Sequence, residues 1–153
     1  MVSCASSSTE SFPITGNNLQ SHARGVLVIE DNPGLIDLLV IILEFGGYTV
    51  SIVTNAETAL TWIDHAICAG TIPAIILLDL DTQLGMERSL FLNQLRERWQ
   101  KMVGAHPPLI VIKTLVNDLD SIEYQMLQKP FHVQDLLAMC EKVALLDTLP
   151  GAS

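Results

Sequence analysis

Residues 74–81 read AIILLDLD, with Pro73 ahead of them. Residues 75–78 are continuously apolar, and an aspartate ends the run at position 79. An apolar run this short, with no polar side to turn toward water, is the pattern of a strand covered on both faces, as in a parallel sheet. Residues 26–29 (VLVI) and 109–112 (LIVI) repeat the pattern; 48–53 reads as a further strand, and the region around 124–127 as a fifth. Helical patterns separate them. Pro33 opens one helix and Gly46-Gly47 closes it. Asn55 caps a second, with Ala56, Ala59, Leu60, Ile63 and Ile67 on its apolar face and Gly70 at its end. A third spans about 87–102, with Leu90, Leu95 and Trp99 available to pack, and a last one about 133–146. Short strands alternating with helices define an α/β doubly wound fold. Right-handed crossovers place its helices on both faces.

That fold gathers residues far apart in sequence. In a parallel sheet every strand ends on the same edge, where ligands bind in the crevice. Glu30 and Asp31 follow the first strand, Asp79 the third, Thr114 the fourth and Lys129 the fifth. Three carboxylates, a hydroxyl and an ammonium therefore meet at one place. Crowded carboxylates repel one another. A hard divalent cation relieves that repulsion, and Mg²⁺ does so with a few carboxylates while keeping waters and phosphoryl oxygens. Such a set suits phosphoryl transfer, which depends on positioning and charge neutralisation. Asp79 is placed to attack phosphorus and form an acyl phosphate. Lys129 neutralises phosphoryl oxygens, and the Thr114 hydroxyl donates to one. Taken singly, each residue has a plain structural role: a helix cap, a loop cation, a turn hydroxyl, a solvated strand end.

Composition narrows the partners. The 153 residues suffice for one domain with a real core. The formal net charge is -9 with only 8 Lys and Arg, which argues against direct nucleic-acid binding and against anionic membrane surfaces. Cys4, Cys68 and Cys140 show no paired spacing, so neither a disulfide framework nor a zinc motif is expected, and Cys68 and Cys140 read as core residues. The longest apolar stretch, 35–45, carries Asp37 and Glu44 and is too short to span a bilayer; no secretory segment follows Met1. A cytoplasmic location is expected. Residues 1–23 are rich in Ser and read as a flexible tail, 24–149 as the domain, and 150–153 as a short C-terminal tail.

The ordered motifs resemble the receiver domain of two-component response regulators. VLVIED (26–31) resembles the metal-binding acidic pair, AIILLDLD the phosphoacceptor strand, LIVIKT (109–114) the switch-hydroxyl strand and LQKPF (127–131) the Lys-Pro motif. The resemblance implies a five-stranded parallel sheet of flavodoxin-like order 2-1-3-4-5. It makes Asp79 the phosphorylation site, Glu30, Asp31, Asp79 and the Asp81 carbonyl the Mg²⁺ ligands, and Thr114 and Lys129 the groups that contact the phosphoryl. It also implies a cis Lys129–Pro130 bond. The implied phosphate donor is a histidine kinase or histidine phosphotransfer protein, and the output a downstream protein partner.

The departures are specific. The segment DLDTQLGMERS (79–89) lacks the proline usual after the phosphoacceptor and is one residue longer. Leu115 replaces the usual small residue, and Met126 stands where the family's switch aromatic does. Only LVNDLDSI (115–122) is left for a fourth crossover helix, which is expected to be short or absent. These changes touch signal output more than phosphotransfer. They leave open a receiver-like interaction module that never carries phosphate. LLDLDTQL also resembles the first motif of haloacid-dehalogenase-like phosphatases, with Asp79 as nucleophile and Asp81 as acid/base. That reading leaves Glu30 and Asp31 unexplained, and only Glu141 and Asp147 are available as downstream acids. Finally, the first and last helices are apolar over more than one face, which raises the expectation of a homodimer through them.

Overall fold

A computed structural model of the chain describes residues 24–114 and 125–148. In chain order the elements are β1 (Gly25–Ile29), α1 (Pro33–Phe45), β2 (Thr49–Val53), α2 (Ala56–Ala69), β3 (Ile75–Asp79), α3 (Arg88–Met102), β4 (Leu109–Lys113), β5 (Gln125–Gln128) and α4 (Val133–Thr148). The five strands form one parallel sheet in the order β2-β1-β3-β4-β5, as expected. Residues 1–23, the short fourth-crossover segment at 115–124 and residues 149–153 lie outside the described residues, so the expectations of tails and of a reduced fourth helix fall there.

The helix ends follow local chemistry. The Asn32 side chain accepts a hydrogen bond from the Leu35 N–H at 3.0 Å, and Pro33 occupies the first turn of α1. Asn55 does the same for Thr58 at 2.8 Å, and Gly70, at φ 76°, closes α2 in the left-handed conformation that glycine adopts without strain. Gly46 answers to packing instead. A Cβ there would lie 2.7 Å from Leu137 Cδ2 of α4, so a side chain at this position would have to displace the end of that leucine.

Strand alternation divides the core in two. Leu27, Ile29, Ile76, Leu78 and Val111 pack under α2 and α3, while Val26, Val28, Leu77, Ile110 and Ile112 pack under α1 and α4. On α3 the core residues are Phe91, Leu95 and Trp99. Leu90, assigned to the core from sequence, is 46% exposed. One position further on, Phe91 is fully buried and lies four residues before Leu95, on the same helical face. Cys140 is a buried thiol, its pKa pushed up to about 12 by burial. Cys68 is disulfide-bonded, which corrects the expectation of an unpaired core cysteine. On α1 the surplus apolar residues do reach water: Leu38, Ile41 and Phe45 are 46%, 66% and 83% exposed.

Candidate functional site

Register brings the site together. Ile29 pairs with Leu78 and Asp79 with Ile112, so β1, β3 and β4 finish nearly level and their next residues share one edge. The Lys129 N–H extends the β4–β5 pairing by donating to the Lys113 carbonyl at 2.9 Å. Lys129 and Pro130 are joined by the expected cis bond.

At the centre stands Asp79, buried to 2% exposure. The Lys129 Nζ donates to its Oδ2 at 2.8 Å, and the backbone N–H of Asp81 donates to its Oδ1 at 2.8 Å. Lys129 also reaches the Asp81 Oδ2 at 3.1 Å. Burial alone would lower the pKa of Lys129, but its hydrogen bonds to Asp79 and Asp81 outweigh it and hold the ammonium above its ordinary value. The Thr114 hydroxyl donates to the same Asp81 Oδ2 at 2.7 Å. Partial burial would raise Asp81, yet the bonds from Thr114 and Lys129 prevail and keep it below the ordinary carboxylate value.

The acidic pair splits into two roles. Asp31 is exposed, and its Oδ2 accepts from the Gln83 N–H at 3.3 Å, which ties the loop after β3 to the end of β1. Glu30 is buried, its Oε2 accepting from the N–H groups of Asp31 and Asn32 and from the Thr82 hydroxyl at 3.4 Å. Its Oε1 is buried without a partner. Burial raises the Glu30 pKa to about 7, and the neighbouring Asp79 carboxylate adds to the effect. Thr82 was not singled out from sequence, although a hydroxyl three residues after Asp79 was the available signal. In the receiver reading the expected role of Asp81 rested on its carbonyl, and its side chain was considered only as the acid/base of the phosphatase alternative. Leu115 lies outside the described residues, and Met126 is half-buried on β5.

Among the described residues, no group of three or more His, Cys, Asp or Glu side chains forms a ready metal cage. The residues nevertheless fit Mg²⁺. That ion typically takes one or two carboxylates and fills its other positions with water and phosphate oxygens. Asp31 and Asp79 supply carboxylates on one edge, and the orphaned Glu30 Oε1 is an acceptor that lacks a positive partner.

No protein-family model matches the sequence, and no curated protein matches it. Solved structures are similar in fold. A response regulator receiver domain protein from Bacillus halodurans is 17% identical with a TM-score of 0.63, covering 79% of this chain and 97% of that one. The receiver domain of the sensor histidine kinase PA1611 from Pseudomonas aeruginosa, solved with magnesium coordinated in its active-site cleft, is 19% identical with a TM-score of 0.63, covering 80% and 98%. The receiver domain of Ssk1 from Saccharomyces cerevisiae, solved with the histidine phosphotransfer protein Ypd1, is 19% identical with a TM-score of 0.64, covering 84% and 94%. The fold of this chain is that of response regulator receiver domains. Among the described residues no helix is long and apolar enough to cross a membrane.

Proposed function

We propose that residues 24–149 act as a phosphoacceptor receiver, carrying a phosphoryl group on Asp79. The observation behind this reading is the buried Asp79 carboxylate with the Lys129 ammonium 2.8 Å away. A nucleophile at this depth is shielded from bulk water, and the cation beside it offsets charge that the incoming phosphoryl brings. An Asp79 carboxylate oxygen forms the bond to phosphorus as the bond to the donor breaks, and the donor leaves with the electron pair. Lys129 stays hydrogen-bonded at the developing charge, and Thr114 supplies one O–H. Glu30, Asp31, Asp79 and the Asp81 carbonyl are the groups that would hold Mg²⁺. When bound, the cation supplies charge neutralisation for the phosphoryl oxygens.

The donor class is a phosphohistidine protein, a kinase or a phosphotransfer protein, in keeping with the Ssk1–Ypd1 pair, and the signal leaves by protein contact in the cytoplasm. A disulfide at Cys68 is uncommon in that compartment, and thiol labelling of protein from freshly lysed cells checks the location and the bond together. The phosphatase alternative gains no support. Glu141, one of its candidate downstream acids, pairs with Arg24 at 3.7 Å, and Arg24 precedes β1 at the opposite edge of the sheet.

The test is intact-mass analysis after incubation with Mg²⁺ and a small acyl phosphate. One phosphate adduct is expected on the wild-type chain and none on Asp79→Asn. An adduct that survives the substitution, or no adduct on the wild type, refutes the assignment.

A further inference from the structure

The Asp81 side chain has no part in the reading above, which uses only its carbonyl. Its geometry is nevertheless distinctive. A single oxygen, Oδ2, accepts both from the Thr114 hydroxyl at 2.7 Å and from the Lys129 ammonium at 3.1 Å. The Lys129 ammonium is at the same time 2.8 Å from Asp79. The side chain of Asp81 is 43% exposed and that of Asp79 only 3%, so the Asp81 carboxylate lies on the solvent side of the nucleophile. In the resting protein an anionic oxygen thus already holds the two groups that the phosphoryl must use.

We propose that the Asp81 carboxylate is an internal stand-in for the phosphoryl group, one that must release Thr114 before that hydroxyl can engage phosphate on Asp79. The inference rests on the phosphoacceptor reading and assigns the Asp81 side chain a role of its own. A threonine hydroxyl has one proton to donate, so Thr114 serves either Asp81 or a phosphoryl oxygen but not both. The ammonium has three N–H groups and is shared, not lost. The phosphoryl oxygens and the Asp81 carboxylate are both anionic and repel each other, which favours displacement of Asp81 once phosphate is on Asp79. The contact is on the exposed side, so its release costs no burial of a charge.

Two consequences follow. The carboxylate slows phosphorylation by holding Thr114 back, and it recaptures Thr114 once the phosphate is gone, resetting the resting arrangement. Asp81 is therefore a positioning residue acting through Thr114. Removing a charge-assisted hydrogen bond of this kind changes an equilibrium by roughly tenfold.

The experiment compares wild type, Asp81→Ala, Asp81→Asn, Thr114→Val and the Asp81→Ala/Thr114→Val double variant. The rate of acyl-phosphate labelling is followed by intact mass. Independently, the Thr114 side-chain rotamer is followed by three-bond couplings in the unphosphorylated protein. Asp81→Ala is expected to label roughly tenfold faster, and most of that gain should vanish in the Thr114→Val background. Asp81→Asn, which keeps an oxygen acceptor without the charge, should fall between. The Thr114 couplings should report one rotamer in wild type and averaged rotamers in Asp81→Ala. Unchanged couplings, or a wild type that labels as fast as Asp81→Ala, overturn the stand-in. A chain that takes up no phosphate in any variant overturns the phosphoacceptor reading itself, and the stand-in with it, whatever the couplings show.

Discussion

Glu30 makes the stability of the cation-free protein depend on pH in an unusual direction. In the unfolded chain its carboxyl titrates near its ordinary value of 4.5; folded, burial first and the neighbouring Asp79 carboxylate second raise it to about 7. Below pH 4.5 both states hold the proton and Glu30 costs nothing. As pH rises the unfolded chain releases the proton first, so the folded state binds more protons and stability falls until the folded pKa is passed. Each unit of difference is worth about 1.4 kcal/mol, so the full penalty above pH 7 is about 3 kcal/mol. That is a large share of the total stability typical of a domain this size. Glu30→Gln removes the titration but keeps an acceptor for the Asp31 and Asn32 N–H groups. The assay is urea unfolding in a chelator at pH 5 and pH 8, with wild type and variant compared pairwise so that other titrating groups cancel. The wild type should lose about 2.5 kcal/mol more than Glu30→Gln across this interval, since at pH 5 the unfolded chain has already released most of its proton. Equal losses in the two proteins would refute the raised pKa and, with it, the electrostatic case for a cation at this edge.

Phe91→Ala empties a fully buried site under α3 and should cost about 3–5 kcal/mol by the same unfolding assay, whereas Leu90→Ala, at an exposed position, should change it by well under 1 kcal/mol. Asn55→Ala removes the α2 cap and should cost about 1 kcal/mol in thermal or urea unfolding. A homodimer through α1 and α4 is expected to appear in light scattering as concentration-dependent mass and to be lost when Ile41 and Leu145, 66% and 58% exposed, are replaced by charged residues; a monomer before and after rules it out. With Met126 on β5 in place of a flat ring, a phosphate mimic should alter amide exchange mainly in the loop after β3 and in residues 115–123. Large protection changes confined to α4 would contradict that.

How much could be read in advance depended on the kind of force at work. The strands were legible because residues 26–29, 75–78 and 109–112 have no polar face to expose, and β-strand order followed from the resemblance they carry. Caps at Asn55 and Gly70 were legible because each acts within a few residues of itself. The choice between Leu90 and Phe91 was not, since both are apolar and the start of α3 sets which one turns inward. Glu30 and Asp31 looked like one acidic pair, but the backbone turn after β1 buries the first and exposes the second. The Asp81–Thr114 bond joins residues 33 positions apart and requires the β3–β4 register to be known.

Arg24 offers a last consequence. Its guanidinium stacks 4.9 Å over the Tyr48 ring and pairs with Glu141, so the backbone enters β1 pinned to the flank formed by α1 and α4. β1 covers about 17 Å at the rise of a strand, and α4, running the other way, descends about 24 Å from the Lys129 end. Residues 24 and 148 therefore both sit at the pole away from Asp79. A dye, a surface linker or a fused partner attached through either of them meets the domain on its far side. Tethered this way, the molecule presents its reactive edge outward, so single-molecule or surface-capture measurements of donor docking can be made without the tether crossing the approach to the nucleophile.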